Sequence, residues 1–105
     1  MPVVSMMRME GNPDELLAKI RDHVDPVGER LAERHGGIAN IVARDGDDAV
    51  LVINLWETEE GRHAMAEEPE MQEALRAAGL PRPEFTGYPV ERLRFTECAA
   101  SLATR

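Results

Sequence analysis

Asn54 and Trp56 stand two residues apart at the end of the apolar run Ala49 to Trp56, and they are the two side chains in it that donate strong hydrogen bonds. Residues two apart on a strand point the same way. An amide and an indole N–H would then face one cavity between sheet and helices, where each, if buried, needs a partner or a ligand. His23 is the candidate proton acceptor. It falls at the margin of an apolar helical face built by Leu16, Ile20 and Val27, from which it would look into the gap between helix and sheet. Plainer roles compete with each of these. Trp56, the single tryptophan, would serve as a core or rim aromatic with a satisfied N–H. Asn54 would bond backbone at the sheet edge, and His23 would be a structural imidazole at the core boundary. A one-residue slip of register would also send Asn54 and Trp56 together into an interface on the other face.

Spacing removes other chemistry. His35 sits in the last turn of the first helix, where an imidazolium favours the helix dipole, and it reads as a cap. His63 falls opposite the stripe Ala64, Met71 and Leu75 and is expected in solvent. No two histidines stand at i, i+4 and Cys98 has no companion thiol, so no metal and no cofactor is expected. No phosphate-cradling glycine loop or GxSxG elbow occurs. Met6, Met7, Met9, Met65 and Met71 read as core fillers of irregular gaps.

The elements that must position these residues follow from pattern. Val3 to Met9 is a strand closed by the turn formers Gly11 to Asp14. Leu16, Leu17, Ile20, Val24, Val27 and Leu31 recur at helical spacing, so a first helix runs from Asp14 to His35 and stops at Gly36. Pro26 lacks the N–H that a helix interior needs, which predicts a kink or break near Asp25. Ile38 to Arg44 and Ala49 to Trp56 form a hairpin around Asp45 to Asp48. Thr58 caps a second helix whose first turn holds Glu59 and Glu60. Pro69 splits that helix near Glu68, and Gly79 with Pro81 ends it. Phe85 to Phe95 is the last strand, made irregular or pushed to an edge by Pro89. The tail, residues 97–105, has no periodicity and is expected to be mobile, leaving one domain over residues 1–96.

The order strand, helix, strand, strand, helix, strand is the ferredoxin-like β-α-β-β-α-β arrangement, an α+β fold with both helices on one face of a four-stranded antiparallel sheet. Val50 and Val52 on one side of their strand and Leu51, Ile53 and Leu55 on the other are all apolar. A half-solvated sheet would alternate apolar with polar. Two helices cover one face, so the economical cover for the other is a second copy of the chain, a homodimer. A monomer that tolerates the bare face is the alternative.

The formal charge is −8 over 105 residues, which repels nucleic acid and anionic membrane. A lone cysteine and the lack of any long uncharged apolar run point to a cytoplasmic protein without a membrane span. Between Glu57 and Glu73 glutamates dominate, with Arg62 the one arginine or lysine. This reads as a solvated helix surface and disfavours a ligand rich in carboxylates there.

The stretch Asn54-Leu55-Trp56-Glu57-Thr58-Glu59-Glu60, a strand leaving through a Trp-Glu pair into an acid-capped helix, resembles the antibiotic biosynthesis monooxygenase family. The likeness extends over roughly residues 3–95, including Gly36-Gly37-Ile38 before the second strand. It implies a dimeric α+β barrel. It also implies a small apolar or aromatic ligand, with cofactor-independent monooxygenation or isomerisation of an aromatic or polyketide-like compound as the chemistry. In the quinone-forming branch an Asn lies four residues before this Trp and a Tyr six residues after it, where this chain has Val52 and Arg62. In the haem-degrading branch a Trp and an iron-ligating His occupy the registers of Met65 and Leu75. The resemblance therefore carries Trp56, a displaced amide at Asn54 and no haem. A non-catalytic small-molecule-binding or structural homodimer is the competing expectation, favoured by the missing Asn and Tyr.

Overall fold

A computed structural model describes residues 1–103, so Thr104 and Arg105, the end of the expected tail, lie outside the described residues. Four strands, β1 (Val3–Glu10), β2 (Gly37–Asp45), β3 (Ala49–Trp56) and β4 (Glu84–Pro89), form one antiparallel sheet in the order β2-β3-β1-β4. The helices that precede the last strand lie on one face of the sheet. This is the ferredoxin-like α+β arrangement that the alternation of elements implies.

The first helical stretch is three segments. Asn12 caps α1 (Pro13–Lys19) by accepting from Glu15 N at 3.1 Å. A π-helical turn follows at Ile20–Val24, and then α2 (Asp25–Arg34), with Pro26 in its first turn. Proline has no N–H to return to the carbonyl four residues earlier. The chain relaxes by widening the turn in front of Pro26 instead of breaking there.

Thr58 caps α3 (Glu59–Glu67) by accepting from Gly61 N at 3.0 Å. The chain turns extended at Glu68, and α4 (Pro69–Ala78) restarts with Pro69 at its first position and ends at left-handed Gly79. Val90 to Thr96 is not strand: β4 stops at Pro89, although the sequence pattern ran on to Phe95. Beyond it Glu97–Ala103 forms α5, where periodicity predicted no element.

Register places Val3, Ser5, Met7 and Met9 of β1 with Val50, Val52, Asn54 and Trp56 of β3 on the helix side. The core above them is in two parts. Met9, Leu16, Ile20, Val50 and Val52 form one, and Leu31, Trp56, Met65 and Met71 the other. Val24, on the π-helical turn, packs against both.

The opposite face of the sheet carries Val4, Met6, Ile41, Leu51, Ile53, Leu55 and Tyr88, with Ile41 and Tyr88 exposed and the others half-buried. Ile41 is 53% and Tyr88 54% exposed. At the hairpin end this face turns charged, where Arg8 Nε bonds Asp45 at 2.9 Å and Nη1 bonds Glu10 at 3.1 Å.

Candidate functional site

Trp56 ends the central strand β3 and is 6% exposed, walled by Leu31, Met65 and Met71 with Val3, Val24 and Val27. Its indole Nε1–H is buried without a hydrogen-bond partner. An unmet buried donor costs about 1–3 kcal/mol, so the atom is either a standing loss or a contact awaiting an acceptor. Among the described residues it is the one buried side-chain nitrogen or oxygen in this condition.

Two residues back, Asn54 lies on the same face and is half-buried. Its neighbour across β2 is Asn40, whose Nδ2 donates to Asn54 Oδ1 at 2.6 Å. On the other side Ser5 sits opposite Asn54 and is 2% exposed. Asn40, Asn54, Ser5 and Gly87 thus form one rung across all four strands. The rung is polar. It runs between the rung of Val42, Val52, Met7 and Phe85 and the rung of Gly37, Trp56, Val3 and Pro89, along the line where the core divides. The π-helical turn contributes Val24 to both halves of that core, and single π turns recur at functional positions.

His23 is elsewhere. It is exposed, on a surface cleft of about 530 Å³ between the π-helical turn, α2 and α4, beside Pro26, Val27, Pro69 and Ala74. The widened turn rotates it away from the sheet, which the plain helical spacing could not anticipate. Asp22, Glu70 and Glu73 also line this cleft. Their charge is met by arginine: Asp22 bonds Arg21, Glu70 bonds Arg30 and Glu73 bonds Arg76. The Arg21 hydrogen bond holds the Asp22 carboxyl below the usual aspartate range. A second depression of about 200 Å³ lies on the open sheet face between Met6, Arg8, Leu51, Glu84 and Thr86. Neither Asn54 nor Trp56 lines either cleft.

The register of the missing Tyr is filled by Arg62. Its guanidinium bonds Glu59 at 2.9 Å and lies 5.0 Å from the centroid of the Phe85 ring. His35 is the C-cap residue of α2, and its Nε2 lies 2.7 Å from Glu68 Oε1 at the bend between α3 and α4. His63 is exposed and pairs with Glu67 at 3.0 Å. Among the described residues no three His, Cys, Asp or Glu side chains converge as a metal site, and no helix is long and apolar enough to cross a membrane.

Asn40 and Ser5 escaped the reading by residue type, since neither stands out alone. Register would have found Asn40: the pairing of Asp45 with Ala49 beside the turn places it opposite Asn54 by counting back five residues, whereas Ser5 needs the non-local pairing of β1 with β3.

No family sequence model matches the chain, and no curated protein matches its sequence. Solved structures do match. SnoaB, a cofactor-independent oxygenase from Streptomyces nogalater, superposes with a TM-score of 0.68 at 15% identity over 88% of this chain and 95% of that one. A candidate antibiotic biosynthesis monooxygenase from Chloroflexus aurantiacus J-10-fl gives 0.63 at 19% identity, over 90% and 98% of the two chains. A protein from Mycobacterium tuberculosis gives 0.69 at 15%, over 90% and 100%. The four-stranded sheet, the helices on one face and the strand that ends at Trp56 therefore make up the fold of the antibiotic-biosynthesis-monooxygenase-like proteins.

Proposed function

We propose that the chain works as a cytoplasmic homodimer whose subunits each take one aromatic or polyketide-like molecule between sheet and helices beside Trp56, and that cofactor-independent oxygenation is the chemistry this arrangement serves. The unpartnered Trp56 N–H carries the reading. A ligand that brings an acceptor oxygen meets it and removes a desolvation penalty that the empty protein bears. Met65 and Met71, which wall the indole, are unbranched and adaptable, so they are the side chains that give way to admit a ring.

A phenol or enolisable ketone that has given its proton to bulk water before it binds carries its negative charge on the oxygen, where the Trp56 N–H and the Asn54 amide stabilise it. The ring carbon then carries carbanion character. O2 adds to that carbon, the peroxide anion takes a proton back from solvent, and the hydroperoxide loses its outer OH with the hydrogen on the same carbon as water to leave a carbonyl. The chain's contribution is to bind, orient and keep out water. His23 has no place in this scheme, since it lies on the outer cleft. The oxygenase SnoaB has the same fold, which supports the class of reaction.

A non-catalytic binding protein is the second reading, favoured by Val52 and Arg62 in the registers of the expected Asn and Tyr. Oxygen uptake separates the two. Incubation with a panel of polyhydroxylated aromatics under air should consume O2 with a carbonyl product in equal amount. Saturable binding without uptake would leave only the binding reading, and no binding across the panel would remove both.

The dimer rests on the apolar face of Val4, Met6, Ile41, Leu51, Ile53, Leu55 and Tyr88. Contiguous apolar patches of this kind are rare on monomers.

A further inference from the structure

We infer that Asn40 is a positioning residue that turns the Asn54 amide so that its N–H groups, together with the Trp56 N–H, face the ligand site, which favours ligands that present a deprotonated oxygen. The inference rests on the proposed ligand site and adds its specificity. A carboxamide carries an acceptor at one end and two donors at the other. Asn40 Nδ2 donates to Asn54 Oδ1 at 2.6 Å, so the acceptor end of Asn54 is engaged within the sheet. Its Nδ2 has no protein partner among the described residues and is left to face outward. The other polar atom on this side of β3 is the Trp56 N–H, which is a donor only.

Both residues are held to this arrangement by register. Asn40 and Asn54 are directly paired across β2 and β3, and the next rungs are apolar or glycine. The other polar side chain of the rung is Ser5, opposite Asn54 on β1, whose hydroxyl can donate as well as accept and so does not by itself fix which end of the amide it meets. Without Asn40 the Asn54 carboxamide would be free to turn over and present Oδ1, an acceptor that favours a protonated hydroxyl and repels a phenolate. The pair thus decides between two protonation states of one ligand. Phenolates and enolates fit the site as built. Neutral phenols fit it once the amide has turned.

A phenol that ionises near neutral pH and whose phenolate absorbs in the visible, 4-nitrophenol, reads this directly. Bound to the unsubstituted protein it should ionise at lower pH than when bound to Asn40→Asp, where a carboxylate can only accept and so draws the Asn54 N–H groups toward itself. The expected displacement is about one pH unit, a tenfold change in the phenolate-to-phenol ratio. The new charge of Asn40→Asp would by itself act in the same direction. The same substitution is therefore made in an Asn54→Ala background, which keeps the charge and removes the amide, so that the pairwise effect is isolated. Asn40→Ala, which adds no charge, should weaken phenolate binding several-fold and strengthen the binding of the neutral phenol. A displacement of equal size with and without Asn54, or an Asn40→Ala protein that binds both forms as before, would overturn the positioning role while leaving the ligand site standing. Failure of the unsubstituted protein to bind 4-nitrophenol in either form would instead remove the ligand site and this inference with it.

Discussion

Gly61, in the first turn of α3, lies against the end of α2: a Cβ built on it would stand 2.1 Å from the carbonyl oxygen of His35. Alanine ordinarily stabilises a helix by up to about 1 kcal/mol relative to glycine. Here it would force the two helices apart. Gly61→Ala is expected to lose about 2 kcal/mol, as overpacked sites do, and a urea midpoint above that of the parent would refute the contact.

Trp56→Phe keeps most of the packed ring and deletes the unmet donor. Ligand-free stability should then fall by about 1–2 kcal/mol, since the cost of the smaller ring and the space it leaves is partly offset by removal of the unmet donor. Trp56→Ala, in contrast, should cost about 3–5 kcal/mol. Thermal melts of the two variants check this. A Phe variant as unstable as the Ala variant would mean that the N–H already has a partner.

Ile53 is at the middle of the open face, paired with Met6 on one side and Ile41 on the other. Ile53→Lys should leave circular dichroism unchanged and convert a dimer to a monomer in light scattering. A parent protein that already scatters as an 11.7 kDa particle would remove the homodimer.

Burial pushes the Asp25 carboxyl above the usual aspartate range, and the nearby Glu29 adds to the shift. A carboxyl whose folded value lies above its unfolded one contributes stability that is full below the ordinary value and is lost as pH rises through the raised one. Asp25→Asn should therefore melt higher than the parent at neutral pH, with the lead vanishing in acid below the ordinary aspartate range. A lead that grows on acidification would reverse the assignment.

Much of this fold was legible because its signals are local. Thr58, Pro69 and Gly79 mark helix ends with their own backbone chemistry, and the hairpin announces itself through Gly46, which takes a left-handed φ of 66°. The π-helical turn was not legible, since Pro26 declares a conflict without saying whether the chain breaks or widens. That choice carried His23 out to the surface. Pro89 ended β4 where the apolar pattern through Leu93 and Phe95 continued: Val90 N–H still bonds Pro2 O at 2.9 Å, but the partner strand β1 begins at Val3, opposite Pro89. The site was half legible: Trp56 and Asn54 stood out by type, while Asn40 and Ser5 acquire meaning only when strands are laid side by side.

The single indole N–H of this chain gives a single resonance, which makes the central claim open to one titration. A 15N-labelled sample titrated with a hydroxynaphthoquinone should show that resonance moving downfield and saturating, as the Trp56 N–H gains an acceptor, while naphthalene at the same concentration moves it little. An indole resonance that both compounds move equally, or that neither moves, would contradict a site in which Trp56 receives the oxygen of a bound ligand.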